Sequence, residues 1–168
     1  MLVVTTSTPA QTRDLGASLG QLLSSGDLVL LHGDLGAGKT TFTQGVARGL
    51  GVVTFVQSPT FTLVREHLGA TSEGQPVTFF HLDLYRLAED EDDLESFGFA
   101  DYLTPNDGIT CIEWPERARD ALPEAFLLVR LEASGEMSRR ITFQAVPPEG
   151  KYANLVARLN QRKYPIHR

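Results

Sequence analysis

The sequence of 168 residues predicts an α/β fold in three layers, with a central mixed, largely parallel sheet flanked by helices. Three observations carry that prediction. First, Leu28-Val29-Leu30-Leu31 and Gly108-Ile109-Thr110-Cys111-Ile112 are short, continuous apolar runs, as strands buried on both faces should be. Second, helical patterns fall among them, most clearly from Thr40 to Leu50, where Phe42, Val46 and Leu50 share one face. Third, between the first strand and that helix lies Gly33-Asp34-Leu35-Gly36-Ala37-Gly38-Lys39-Thr40, which fits the phosphate-loop pattern G-x-x-x-x-G-K-[ST] at every fixed position. A buried strand entering the loop and a helix leaving it are the context the motif requires. The expected architecture is therefore P-loop NTPase-like, as one domain over residues 1–168.

Val3 and Val4 predict an edge strand. Ser7-Thr8-Pro9 then supplies a cap and first turn for an amphipathic helix from about Ala10 to Leu23, with Leu15, Leu19, Leu22 and Leu23 on one face. After the loop and its helix, Gly49 and Gly51 offer a stop, and Val52 to Val56 is a strand or an extended connection. Pro59 in Gln57-Ser58-Pro59-Thr60-Phe61-Thr62 forces extended backbone and presents several hydroxyls. Phe61 to His67 alternates as a half-buried strand, Leu68 to Pro76 is a Gly/Ser/Thr-rich loop, and Val77 to Tyr85 returns, predicting a hairpin. The acids Glu89 to Asp93 suit the start of a helix continuing through Leu94 to Leu103. Gly108 to Ile112 is the next buried strand, and Pro115 begins a short helix to Leu122. Phe126–Glu132 and Arg139–Ala145 form an antiparallel pair around Ser134-Gly135. A last helix runs from about Tyr152 to Gln161 with Leu155, Val156 and Leu159 inward.

Composition narrows the function classes. A chain of this length with 42% hydrophobic residues can bury about two-thirds of its unfolded surface without staples. The net charge of −6 argues against a broad basic surface for nucleic acid or anionic lipid, so any RNA is expected to be held through a partner. The lone Cys111, between apolar neighbours, reads as a buried thiol in a reducing cytoplasm. No apolar run approaches membrane-spanning length, the N-terminus lacks signal-peptide features, and no His/Cys grouping has the form of a structural zinc site.

The loop carries the chemistry. Gly33, Gly36 and Gly38 allow a tight turn whose amides converge on phosphate oxygens at a helix N-terminus. Lys39 is placed to reach the β- and γ-phosphates, and the Thr40 hydroxyl to bind a magnesium ion bridging them. The guanine signature Asn-Lys-x-Asp is missing, as is Asp-x-x-Gly after the strand carrying Asp83, so ATP is the expected nucleotide. Hydrolysis needs an acid beyond the loop, at the C-terminal end of a neighbouring strand. Asp83 and Glu113 both end apolar runs, and they open beside Lys39 if their strands run parallel to the first. Strand-end acids also cap helices or pair with arginines such as Arg86 or Arg117, so their two roles stay open from spacing alone. His81 fits a hydrogen-bonded core residue better than a ligand, and His32 is expected to pack beneath the loop. Trp114 fits a core aromatic and a lid over the site equally well.

Four segments together resemble the TsaE family, small bacterial ATPases of tRNA N6-threonylcarbamoyladenosine biosynthesis. They are Gly33 to Thr41, Ser58-Pro59-Thr60-Phe61-Thr62-Leu63, His81-Leu82-Asp83-Leu84-Tyr85-Arg86-Leu87 and Ile112-Glu113-Trp114-Pro115-Glu116, in the family's order between residues 10 and 145. The resemblance implies that Gly33, Asp34, Leu35, Gly36, Ala37, Gly38, Lys39, Thr40 and Thr41 cradle ATP, and that Thr40 and Glu113 hold Mg2+. It leaves Asp83 to position or activate water, with Thr60 near the γ-phosphate or the ion and Lys39 on the phosphates. It places adenine near Pro9 to Gln11 and Ser134 to Glu136. The basic residues Arg158, Arg162, Lys163, His167 and Arg168 fall outside the family's blocks, and a solvated end is expected there.

The implied partners are a threonylcarbamoyltransferase subunit and its dimerisation partner, a TsaD–TsaB-like complex, with tRNA met indirectly. ATP hydrolysis then supports repeated cycles of modification at adenosine 37 of tRNAs reading ANN codons. Slow turnover without partners fits a site with no obvious internal arginine finger. Two other classes use the same loop: a small P-loop kinase passing the γ-phosphoryl to a metabolite, and a nucleotide-binding module without turnover. The acids from Glu89 to Asp93, where a kinase lid needs positive charge, weigh against the kinase.

Overall fold

The structure, a computed structural model, describes residues 1–59, 62–87 and 91–162. Its strands are β1 (Leu2–Thr6), β2 (Leu28–His32), β3 (Val64–Ala70), β4 (Pro76–Asp83), β5 (Gly108–Glu113), β6 (Phe126–Ala133) and β7 (Arg139–Val146). They form one seven-stranded sheet in the order β1-β7-β6-β2-β5-β4-β3. The four middle strands, β6, β2, β5 and β4, are parallel, and antiparallel pairs close both sides. The apolar run Leu28 to Leu31 sits near the sheet centre with no side chain more than 1% exposed, as a strand covered on both faces requires. The predicted hairpin is β3–β4, and the predicted late pair is β6–β7.

Period-two alternation sorts the side chains into two cores. On one face Val29, Leu31, Phe79, Ile109, Cys111 and Val129 pack against α1 (Pro9–Gly20), α2 (Lys39–Gly49) and α5 (Lys151–Gln161). On the other, Leu28, Leu30, Leu82 and Ile112 pack against α3 (Glu91–Ser96), α4 (Ala100–Leu103) and a 3-10 helix over Pro115–Ala121. These are the three layers the sequence predicts.

The cap of α1 is Thr8, whose Oγ1 accepts from Gln11 N–H at 3.2 Å, with Pro9 in the first turn. The helix stops at Gly20, short of the expected Leu23, although Leu22 and Leu23 stay buried. Helices α1 and α2 cross with their backbones in near contact: a Cβ on Gly16 would lie 2.3 Å from Phe42 O, and one on Gly45 2.1 Å from Arg13 O. Glycine is required at this crossing, and it fixes α2, hence the loop, against α1. Val52 to Val56 forms the extended connection, not a strand, and is pinned by Gln44 Nε2 donating to Val56 O at 3.0 Å and by Thr54 Oγ1 at 2.8 Å from His67 Nδ1. The helix expected through Leu103 breaks into α3 and α4 because Gly98 takes φ +72°. Glu89 and Asp90 of the acidic run, and Lys163, His167 and Arg168 of the basic tail, lie outside the described residues. Arg162 donates to Gln21 Oε1 at 2.5 Å. Among the described residues, no helix is long and apolar enough to cross a membrane.

Candidate active site

Because β2, β5 and β4 run parallel, their C-terminal ends open on one edge of the sheet, with Leu31 opposite Glu113 and Glu113 opposite Asp83. This is the edge at which open parallel sheets bind ligands. There the chain leaves β2 and turns through Gly33 to Gly38 into α2. A Cβ on Gly33 would lie 2.4 Å from Leu131 O, and Gly38 takes φ +100°, so glycines set the path of the loop. The first turn of α2 leaves amide N–H groups without helical acceptors at this end, where the helix dipole favours an anion.

Lys39 opens α2 and is only 5% exposed. Its Nζ donates to Gly33 O at 2.5 Å and to Asp34 O at 2.9 Å, and lies 4.1 Å from the centre of the Trp114 ring. Burial lowers its pKa, partly opposed by the charges of Glu113, Glu116, Asp83 and Asp34. Thr40 Oγ1 lies 3.0 and 3.1 Å from the two carboxylate oxygens of Glu113. Glu113 Oε1 is also 2.7 Å from His81 Nε2, and both side chains are buried. Asp83 accepts from Ser58 Oγ on Oδ2 and from Tyr85 N–H on Oδ1 at 3.0 Å. Cys111, behind Glu113 on β5, is fully buried, and burial with the nearby Glu113 charge pushes its thiol far up, which makes it inert.

Lys39, Thr40, Ser58, Asp83 and Glu113 line a cavity of about 430 Å³, together with Gly36, Gly38, Thr41, Tyr85, Trp114, Arg86 and Arg139. The sheet thus brings together the loop lysine and both predicted acids, with Ser58 from the second of the four segments. Thr60 lies outside the described residues. The oxygens of Thr40 and Glu113 converge at a helix N-terminus, a pair of hard donors that fits a magnesium ion. Asp34 and Leu35 occupy the outer turn of the loop, with Leu35 75% exposed.

Four placements refine the sequence reading. His32 does not pack beneath the loop: β2 ends there, and its ring is 52% exposed and 3.9 Å from Glu116. His81 is a hydrogen-bonded core residue, but its acceptor is the candidate metal ligand. Trp114 takes a left-handed φ of +60°, uncommon for a bulky residue. That turn lays the half-buried indole over Lys39 and 4.9 Å from the Tyr85 ring, so it covers the site while packing against the second core.

The fourth, Arg139, was not singled out by any motif. Its Nε donates to Ala37 O at 2.8 Å and its Nη2 to Gly36 O at 3.1 Å, so β7 grips the phosphate loop. Two guanidinium groups, Arg86 and Arg139, therefore line the cavity. Arg139 also donates to Ser138 O at 2.8 Å and pairs in register with Thr6. The β6–β7 turn and the chain entering α1 thus meet beside the loop, at the corner where the resemblance places adenine.

Comparison with known proteins agrees with this fold. The family model for threonylcarbamoyl adenosine biosynthesis protein TsaE matches residues 6–141. The chain is 37% identical over 141 residues to tRNA threonylcarbamoyladenosine biosynthesis protein TsaE of Bacillus subtilis, covering 84% of each chain. It is 42% identical over 132 residues to the protein of that name from a Nostoc species, covering 77% of this chain and 76% of the relative. The crystal structure of Bacillus subtilis YdiB superposes with a TM-score of 0.76 at 31% identity, over 95% of this chain and 94% of that one. With a phosphate loop, two in-register strand-end acids and a match across most of its length, the chain belongs to the TsaE family.

Proposed function

We propose that this protein is a magnesium-dependent ATPase that serves the threonylcarbamoyl modification of adenosine 37 in tRNA. The observation that carries the chemistry is the convergence of Lys39, Thr40, Asp83 and Glu113 on one cavity at the carboxyl edge of the parallel strands. The pathway rests on the names its relatives bear, tRNA threonylcarbamoyladenosine biosynthesis proteins.

In this reading the loop amides from Gly36 to Thr41 bind the triphosphate, and Lys39 exchanges the carbonyls of Gly33 and Asp34 for β- and γ-phosphate oxygens. Thr40 and Glu113 would hold Mg2+, which would supply positive charge to offset that of the phosphates. Asp83, held from both sides by Ser58 and the Tyr85 amide, orients the water that attacks the γ-phosphorus, and the bond to the bridging oxygen breaks to release ADP and phosphate. Arg139 keeps the loop in its anion-binding shape, and Trp114 screens Lys39 from water. Ser58 and Thr60 belong to one segment, so that segment senses whether the γ-phosphate is present. The nucleotide state then controls the grip of this protein on a TsaD–TsaB-like transferase complex in the cytoplasm. With a net charge of −6, the chain meets tRNA through that complex.

The test is genetic and biochemical together. Removal of this protein lowers N6-threonylcarbamoyladenosine in total tRNA by mass spectrometry, and the wild-type chain restores it while Lys39→Ala does not. Unchanged nucleoside levels on removal, or full rescue by Lys39→Ala, would overturn the proposal. A phosphorylated metabolite from labelled ATP, in place of free phosphate, would establish a kinase instead.

A further inference from the structure

A carboxylate holds a metal ion best when its orientation is fixed before the ion arrives, and a second residue usually does the fixing. Glu113 is 3% exposed at the end of β5, and its Oε1 lies 2.7 Å from Nε2 of the fully buried His81. A carboxylate only accepts, so the ring hydrogen is assigned to Nε2. His81 sits on the adjacent strand, two residues before Asp83 and on the same face, its ring near-parallel to Phe79 at 20° and 6.5 Å. That packing fixes the direction in which Nε2 points.

The other ring nitrogen, Nδ1, is buried without a hydrogen-bond partner among the described residues. A histidine kept only for packing is hard to reconcile with that orphan, because burying an unpaired polar atom is costly and a leucine here would have none. What the imidazole provides in return is the bond to Glu113. We propose that His81 is a positioning residue for magnesium: it holds Glu113 Oε1 and leaves Oε2 to face the ion, with Thr40 Oγ1 3.0 Å from Oε1 and 3.1 Å from Oε2. This rests on the reading of Thr40 and Glu113 as the metal ligands.

The experiment measures Mg2+ binding to the complex of the full chain with a non-hydrolysable ATP analogue, by competition against Mn2+ in electron paramagnetic resonance. His81→Leu weakens Mg2+ binding about tenfold, the usual scale for a residue behind a metal ligand, while affinity for the analogue in EDTA stays within about twofold. His81→Gln, whose terminal amide reaches the place of Nε2, restores most of the binding. In a Glu113→Gln background, His81→Leu adds no further loss, because His81 acts through Glu113. Should the leucine variant fail to fold by near-ultraviolet circular dichroism, His81→Asn, whose shorter amide stops before Oε1, replaces it. Wild-type Mg2+ binding in the leucine or asparagine variant, equal weakness of the glutamine variant, or an undiminished loss without Glu113 would overturn the proposal. If Glu113→Gln itself binds Mg2+ as the wild type does, the reading of Glu113 falls, and the inference falls with it.

Discussion

At the amino end of β2 Asp27 is 7% exposed, and at the carboxyl edge of the same sheet Asp83 is 4%, Glu113 3% and Lys39 5% exposed. Both ends bury charge, but the surroundings differ. Asp27 accepts from Ser24 N–H at 2.8 Å and from Lys151 Nζ at 3.0 Å, while the Tyr152 hydroxyl accepts from Leu28 N–H at 2.8 Å. These groups satisfy one another and tie α5 to the sheet. At the opposite edge the charged groups line a cavity, and their partners include loop carbonyls and hydroxyls that a phosphate or a cation can replace. Burial of charge alone does not mark a site; convergence on a cavity with exchangeable partners does.

The ends also differ in how they treat a lysine. Burial lowers the Lys39 pKa more than four nearby carboxylates raise it. Burial also pulls Lys151 down, but there the hydrogen bond and charge of Asp27, with those of Tyr152, outweigh it, and the pKa is raised. Tyr152 is raised chiefly by burial.

The largest effect expected from this contrast is catalytic. Lys39→Ala or Asp83→Asn lowers magnesium-dependent phosphate release, measured with the partner complex present, by about 10²–10³-fold, the usual loss for one preorganised charge in such a site. Asp27→Ala leaves turnover per folded molecule unchanged; an equal loss there would break the distinction between the two ends. Next comes stability: Tyr152→Phe removes the acceptor of a buried N–H and costs about 1–3 kcal/mol in urea unfolding, with nucleotide affinity intact. A shift in nucleotide affinity instead would mean that the structural end communicates with the site.

The smallest effect is a pH dependence of opposite sign at the two ends. The unfolded chain gives up the tyrosine proton near pH 10.0 while folded Tyr152 keeps it, so stability falls as pH rises past that point, and Lys151 adds to the fall above its ordinary 10.5. Lys39 works the other way. The folded chain releases its proton below 10.5, so the penalty for burying that charge is relieved as pH rises through the folded value. Unfolding free energies between about pH 9 and 11 should therefore decline less steeply in Tyr152→Phe than in the wild type, and more steeply in Lys39→Met. The reverse order would contradict the electrostatic account of both ends.

The site was legible in the sequence where its parts are local. A glycine-rich loop between a strand and a helix announces itself by spacing, and acids that end apolar runs are readable once the strands are taken as parallel. Arg139 was not legible, because its grip on Ala37 spans 102 residues and the arginine starts an ordinary strand. The exposure of His32 follows from where β2 ends, which an apolar run does not specify. The crossing of α1 and α2 had a signal that went unread: Gly16 and Gly20, and Gly45 and Gly49, stand four apart inside helices, where glycine is unfavourable unless backbones meet. The glycine at position 98 likewise outweighed the helical pattern around it, since its φ of +72° ends a helix.

The most direct test of the central claim is a crystal structure of this protein with Mg2+ and a non-hydrolysable ATP analogue. It should show the triphosphate along Gly36 to Thr41, Lys39 Nζ moved from the Gly33 and Asp34 carbonyls onto phosphate oxygens, and the ion touching Thr40 Oγ1 with Glu113 in or next to its shell. Nucleotide bound away from the loop, or an ion remote from Glu113, would contradict it.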